Sequence, residues 1–378
     1  MSNLFDYVAW RGDLTFGNAP LCPADALVFS MIAYMNFDGL VPQSPREEPV
    51  RLADVAKAYF ARPGVQRPGF ESKHERMLRL LADSARFGPL RMLAAQKTLD
   101  RQTGMQFAAV SFLLPGQNLF VAFRGTDDTL IGWKEDFRMS YECPVPAQIE
   151  AKRYLSEVAG AHPLRRIFVG GHSKGGNLAV YASIHAGDEV RYRIRTVFNH
   201  DGPGFFDGTV ASEAYAEMRP RIETYMPQSS IVAVLLEHDT SYKIVKSSSK
   251  GLLQHDGYTW EVLGADFVYT DERTAFGKRT AAIVDHFVST TSPERRRRFC
   301  EALFSVLEAT EHDTFSGILG GKRQSLRNMV SAYADMPDDM RTLLTETLGI
   351  LIGARRAAKK AERSRAKDTA FFAEEQSS

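Results

Sequence analysis

The chain has 378 residues, 44% hydrophobic and 25% charged, which suffices to bury a large core and is long for one α/β domain. Lys and Arg number 47 against 46 Asp and Glu, a net charge of +1, so there is no global field to hold a polyanion, and nucleic-acid binding is not expected. The three cysteines, Cys22, Cys143 and Cys300, lie far apart without a C-x-x-C pair, which argues against a disulfide framework or a zinc site.

Residues 1–7 lack the basic flank and apolar core of a signal peptide, and no apolar run approaches a membrane span, so a soluble, cytoplasmic protein is expected. Within residues 1–45, Pro23-Ala24-Asp25 caps the run 26–35, apolar nearly all round and expected to be a buried helix. Residues 46–104 are charged and helical in pattern, as at 75–83, and predict a helical cover over a sheet. Residues 106–114 and 118–123, separated by Pro115-Gly116-Gln117, predict an antiparallel hairpin whose second strand runs into Arg124-Gly125-Thr126. An amphipathic helix over 149–159 leads through His162-Pro163 into the apolar strand 166–170.

Directly after that strand comes Gly171-His172-Ser173-Lys174-Gly175, a G-x-S-x-G nucleophile elbow in which a sharp strand-to-helix turn thrusts a serine hydroxyl over a sheet edge. The pattern alone is weak, but a helix over 177–186, stopped by Gly187, completes the order helix, strand, serine turn, helix. Strands are predicted at 195–199, 222–226, 242–246 and 259–263, and helices from about residue 274 onward at 279–287, 293–308, 322–334 and 337–361. The last helix becomes basic at Arg355, Arg356, Lys359, Lys360, Arg363, Arg365 and Lys367; it reads as a solvated helix end, with contact to an anionic membrane surface or an acidic partner as the other reading. Together these elements predict an α/β-hydrolase fold with a mostly parallel central sheet, an edge hairpin, a helical cover at 46–104 and a C-terminal helical extension. The expected domains are 1–273 (hydrolase) and 274–366 (extension), with a disordered tail at 367–378.

A serine hydroxyl needs a base to remove its proton in the transition state, and in this fold the histidine comes last in the chain. His255, in the loop between the strands 242–246 and 259–263, is best placed; His286 and His312 fall in helical patterns, and His172 and His200 read as packing or supporting groups. The oxyanion of the tetrahedral intermediate should meet the backbone N–H of Lys174 and the N–H or hydroxyl of Thr126, which Gly125 lets approach closely.

The strand end Phe123-Arg124-Gly125-Thr126, the elbow from Gly170 to Ala179 and the spacing from His255 to Trp260 resemble the class 3 lipase branch of α/β-hydrolases. More closely, Tyr7-Val8-Ala9-Trp10-Arg11-Gly12-Asp13, Asp201-Gly202-Pro203-Gly204-Phe205 and Gln254-His255-Asp256 resemble the Mbeg1-like family, DUF2974, over roughly residues 4–265. The resemblance implies Ser173 as nucleophile, His255 as base and Thr126 in the oxyanion hole. Two departures stand out. Lys174 replaces the usual leucine, and its cation is expected to bias the pocket toward anionic acyl chains or head groups. Gln228-Ser229-Ser230-Ile231-Val232 offers no carboxylate where those lipases carry their acid. Asp201, after the strand 195–199, is the favoured acid; Glu237 and Asp239 are its rivals, and the absence of any acid stays open. The expected function is therefore a serine hydrolase of carboxylic esters, lipid acyl esters by resemblance, using no metal or organic cofactor. The alternative is a non-catalytic hydrolase fold that binds a partner or a membrane surface.

Overall fold

Along residues 118–123 the side chains alternate: Leu119, Val121 and Phe123 enter one apolar cluster, Phe120 and Ala122 another, and all five are buried. A strand wet on one face could not carry this pattern, so helices must cover it on both sides. The computed structural model, which describes residues 2–63, 71–206, 208–239 and 241–350, sets this strand within a nine-stranded mixed sheet of an α/β fold.

Two helices come first. In α1 (Leu4–Arg11) the Asn3 side chain accepts from the N–H groups of Phe5 and Asp6, and α2 (Pro23–Ile32) is buried along all but its first residue. The short strand β1 (Val50–Arg51) precedes α3 (Leu52–Phe60) and α4 (Lys73–Asp83), the latter opened by a Ser72–Glu75 capping box. Then β2 (Arg91–Asp100), β3 (Met105–Leu114) and β4 (Asn118–Phe123) form an antiparallel meander. Helices α5 (Leu130–Arg138) and α6 (Pro146–Ala161) cross to β5 (Arg166–His172); α7 (Lys174–Ile184) and α8 (Asp188–Arg193) cross to β6 (Ile194–His200). From there α9 (Glu213–Met218) leads to β7 (Ile222–Pro227), and a loop to β8 (Tyr242–Val245). Strands β4 to β8 are parallel. A small hairpin of β9 (Val262–Leu263) and β10 (Asp266–Phe267) precedes β11 (Tyr269–Thr270), which closes the sheet antiparallel to β8.

Helices α1 to α4 cover one face, where Phe29 meets Phe112 and Phe120 at 4.7 Å, and α6, α7 and α9 cover the other. Full burial of each such aromatic contributes roughly 2–3 kcal/mol. The C-terminal part comprises α10 (Ala275–Thr290), α11 (Pro293–Glu308), α12 (Phe315–Gly320), α13 (Lys322–Asp335) and a helical stretch over 338–350, with a small apolar cluster of its own around Phe299 and Leu344.

The structure departs from the sequence reading in several places. The hairpin of 106–114 and 118–123, expected at the sheet edge, is β3–β4 inside the sheet because β2 and β1 add beyond it, and the sheet is mixed rather than mostly parallel. Residues 91–100 within the expected helical cover form strand β2, the expected strand 259–263 is reduced to β9 outside the main sheet, and α1 was not foreseen. Among the described residues no helix is long and apolar enough to cross a membrane. The basic positions from Arg355 to Lys367 and the tail at 367–378 lie outside the described residues.

Candidate active site

The strand-to-helix turn between β5 and α7 forces Ser173 into φ 59°, ψ −135°, a conformation that costs a non-glycine residue about 1–3 kcal/mol. The turn closes only because its flanks are glycine. A Cβ on Gly171 would lie 2.1 Å from the carbonyl oxygen of Gly175, and one on Gly175 would lie 2.2 Å from that of Phe123 in β4. The Ser173 N–H donates to the His200 carbonyl (2.9 Å), which ties the turn to the neighbouring strand. Ser173 is 9% exposed and stands at the positive end of the α7 dipole.

His255 ends a 3-10 turn, Gly251–His255, beyond β8, and its Nδ1 lies 2.6 Å from Oδ2 of Asp201. A carboxylate only accepts, so Nδ1 carries a proton toward Asp201, and in the neutral form of the ring Nε2 is left unprotonated, the tautomer a general base requires. Asp201 follows β6, is fully buried and adopts φ 55°; its N–H donates to the Tyr225 carbonyl (2.7 Å), and Ser230 Oγ donates to its Oδ1. The rivals sit elsewhere. Glu237 is tied by its backbone to Phe205, and Asp239 pairs with Arg219 at 2.5 Å, so among the described residues Asp201 is the carboxylate that bonds His255. No hydrogen bond joins Ser173 Oγ to His255 among the described residues. The two are neighbours through His172, whose ring centroid lies 4.6 Å from that of His255.

His172 is a strut rather than a bystander. Its Nε2 lies 2.7 Å from the His255 carbonyl and its Nδ1 3.1 Å from the Tyr34 hydroxyl. Burial holds its pKa well below the ordinary imidazole value, so the ring is neutral. The carbonyl must accept from Nε2–H, hence Tyr34 donates to Nδ1, and the directions of both bonds are fixed. From the cover, Lys73 pairs with Asp256 and His74 Nδ1 meets the Tyr258 hydroxyl at 2.8 Å, clasping the segment that bears His255. His200, fully buried, packs against Phe198 and Tyr225; its pKa is pushed down to about 3 by burial.

On the other side of the serine, a Cβ on Gly125 would lie 2.9 Å from the Ser173 Cβ, so the loop after β4 passes against Ser173 and carries Thr126 with it. Thr126 Oγ1 donates to both carboxylate oxygens of Asp136 at 2.7 Å, which consumes its only hydroxyl hydrogen while Asp136 is ionised and leaves the backbone N–H for an oxyanion. Burial raises the Asp136 pKa to about 6, against the pull of Lys174 and the Thr126 hydroxyl. The Lys174 N–H is in the first turn of α7, where the helix provides no acceptor. Its side chain corrects the expectation of a cationic pocket. The ammonium is fully buried, 2.9 Å from Glu135 Oε2, 2.7 Å from Gln106 Oε1 and 3.0 Å from the Gln106 carbonyl, and all three of its hydrogens are used inside the protein. It braces α7 against α5 and β3 instead of meeting substrate.

Asp136, Tyr34 and Ser230 were not foreseen: each acts through a partner that only the fold brings near, and no local spacing marks them. A cavity of about 900 Å³ lies apart from this site, between α5, the β2–β3 turn and the segment after α11, and none of Ser173, His255 and Asp201 lines it. Its cations Arg101, Lys134, Arg138 and Arg297 are each paired with a carboxylate.

A family model described as Mbeg1-like matches residues 81–305. No curated protein matches the chain. Solved structures similar to it include the native Rhizomucor miehei lipase propeptide complex, 11% identical with a TM-score of 0.35 over 48% of this chain and 70% of that one. The M37 lipase is 13% identical, with a TM-score of 0.36 over 64% of this chain and 83% of its own. The lipase from Rhizopus microsporus var. chinensis is 14% identical, with a TM-score of 0.33 over 63% and 88%.

Proposed function

The chain belongs to the Mbeg1-like family, and from that premise we propose that it is a serine hydrolase of α/β-hydrolase type that cleaves carboxylic esters, lipid acyl esters by preference, through an acyl-enzyme on Ser173. The observation that carries this reading is the 2.6 Å contact between His255 Nδ1 and the buried Asp201 carboxylate, beside a serine held on a strained elbow.

In this reading the Ser173 hydroxyl attacks the ester carbonyl while His255 Nε2 takes its proton, a transfer worth roughly 10²–10⁴ in rate. The imidazolium is stabilised by Asp201. The tetrahedral oxyanion is met by the N–H groups of Lys174 and Thr126, each donor contributing on the order of 10²–10³. His255 returns the proton to the leaving alkoxide, and water then repeats the sequence in reverse on the acyl-enzyme to release the acid. Closure of the Ser173 to His255 hydrogen bond on substrate binding is consistent with the looser geometry of sites without substrate. Lipid preference is supported by the class 3 lipase resemblance and by Leu252 and Leu253, 63% and 71% exposed within three residues of His255. The non-catalytic alternative rests on a missing acid, and the Asp201–His255 contact supports the catalytic reading over it.

A fluorophosphonate probe and a series of p-nitrophenyl acyl esters test the proposal on the purified chain. Ser173 should label and turn over, Ser173→Ala should do neither, and His255→Ala should slow labelling by at least about 10³. Labelling that survives Ser173→Ala would defeat the reading.

A further inference from the structure

We propose that Ser230 is a positioning residue: its hydroxyl locks the plane of the Asp201 carboxylate so that Oδ2 faces His255 Nδ1. The inference rests on the serine-hydrolase reading and extends it to a residue on a different strand end, since Ser230 follows β7 while Asp201 follows β6.

Ser230 is 2% exposed and fixed on every side. Its N–H donates to the Pro227 carbonyl (2.9 Å), and its own carbonyl accepts from the Arg273 guanidinium (2.9 Å). The hydroxyl oxygen accepts from the Ala233 N–H (3.0 Å), inside the 3-10 turn Val232–Val234. With that acceptor position filled, the one hydroxyl hydrogen is directed at Asp201 Oδ1. The carboxylate is therefore held at both oxygens, Oδ1 by Ser230 and Oδ2 by His255. A carboxyl group has a broad, nearly two-fold torsion and does not choose its own plane, and the Asp201 backbone at φ 55° fixes only where the group starts. Without Ser230, Oδ1 would be buried with no donor, and rotation to find one would carry Oδ2 away from the imidazole.

Ser230 has a competing structural role, its hydroxyl's bond to Ala233 in the turn Val232–Val234, and a double-mutant cycle separates the two. In the full chain, Ser230→Ala should lower kcat for a p-nitrophenyl ester about tenfold with KM changed less than about twofold, the split expected when an interaction acts in the transition state. Added to Asp201→Ala, the same substitution should change kcat less than about twofold, because no carboxylate remains to be held. Ser230→Thr, which keeps the hydroxyl, should return kcat to within about threefold of the unsubstituted protein. Wild-type kcat in Ser230→Ala, or an equal loss in both backgrounds, overturns the proposal, the latter by assigning the effect to the Ala233 bond. A second arm needs no substrate: the low-field proton resonance of His255 Nδ1–H should broaden or shift in Ser230→Ala and vanish in Asp201→Ala. An unchanged resonance in Ser230→Ala also overturns it. Absence of both turnover and Ser173 labelling in the unsubstituted chain, with the resonance behaving as expected, identifies the failure as that of the hydrolase reading and removes the catalytic role assigned to Ser230.

Discussion

Asp136 holds its charge where the surroundings resist it. Its pKa of about 6 in the folded protein stands above the ordinary carboxylate value because burial disfavours the ionised form. The folded state thus binds the proton more tightly than the unfolded one. The associated stability is fully present below about pH 4 and is lost as pH rises through about 6, leaving a cost of about 3 kcal/mol at pH 7. Asp136→Asn keeps an oxygen to accept the Thr126 hydroxyl but carries no charge to desolvate. It should therefore raise the unfolding free energy in urea by about 3 kcal/mol at pH 7 and by far less near pH 4. An equal gain at both pH values would show that the amide works through packing and that the carboxyl is not strained by its surroundings. This residue was invisible in the sequence for the same reason that it matters. Its partner Thr126 lies ten positions away in a loop, whereas Ser173 was legible because its glycine neighbours answer a local backbone demand. Asp201 and His255 fall between these cases. Their residue types and chain order marked them as favoured, but only the convergence of the β6 end with the loop beyond β8 separates Asp201 from Glu237 and Asp239.

Elements were legible where capping or period spoke clearly and failed where neither did. Helix α11 begins and ends as expected because Ser292 caps it and Pro293 fits its first turn. Strand β2 reads as helix because Met92, Leu93, Ala94 and Ala95 are strong helix formers and all four are buried, which erases the two-residue alternation; eight register pairs with β3 override the local preference. The cover depends on a buried polar knot that no pattern announces. Arg86, fully buried, bonds Asp25 through Nε (2.8 Å) and a terminal nitrogen, and donates to the carbonyls of Leu14, Ala19 and Pro20, while Tyr7 donates to the same carboxylate at 2.7 Å. This joins α1, α2 and the segment after α4. Arg86→Leu would strand the Asp25 charge in the core and should cost about 3–5 kcal/mol in urea unfolding, and Asp25→Leu added to it should recover part of the loss. A single-variant cost below about 1 kcal/mol would mean that the knot does not hold the cover.

At the scale of the whole molecule, the helical character of residues beyond 274 was readable but their docking was not, because it runs through pairs separated by more than a hundred positions. Lys134 meets Glu308 at 2.8 Å, Arg101 meets Asp313 at 2.7 Å, the Leu130 N–H donates to the Asp313 carbonyl at 2.8 Å, and Asp128 receives the N–H and hydroxyl of Ser316. All of these contacts fall on α5 or flank the elements beside it. Helix α5 is also the one that carries Asp136 to Thr126 and Glu135 to Lys174. The C-terminal part therefore backs the Thr126 and Lys174 side of the candidate site, with α5 sandwiched between the two. Phe304 is the apolar centre of that contact, fully buried and edge-on to Phe137 at 5.7 Å. Phe304→Ala should cost about 3–5 kcal/mol, and because the loss falls at the contact, amide exchange should quicken in α5 before it does in β5 or β6. Fluorophosphonate labelling of Ser173 should slow in parallel, since Thr126 and Lys174 lose their backing while the His255–Asp201 pair is untouched. If exchange in α5 and labelling both stay at wild-type rates while stability falls, the extension is an appendage that stabilises itself, and the Thr126 and Lys174 side of the candidate site is held by the sheet alone.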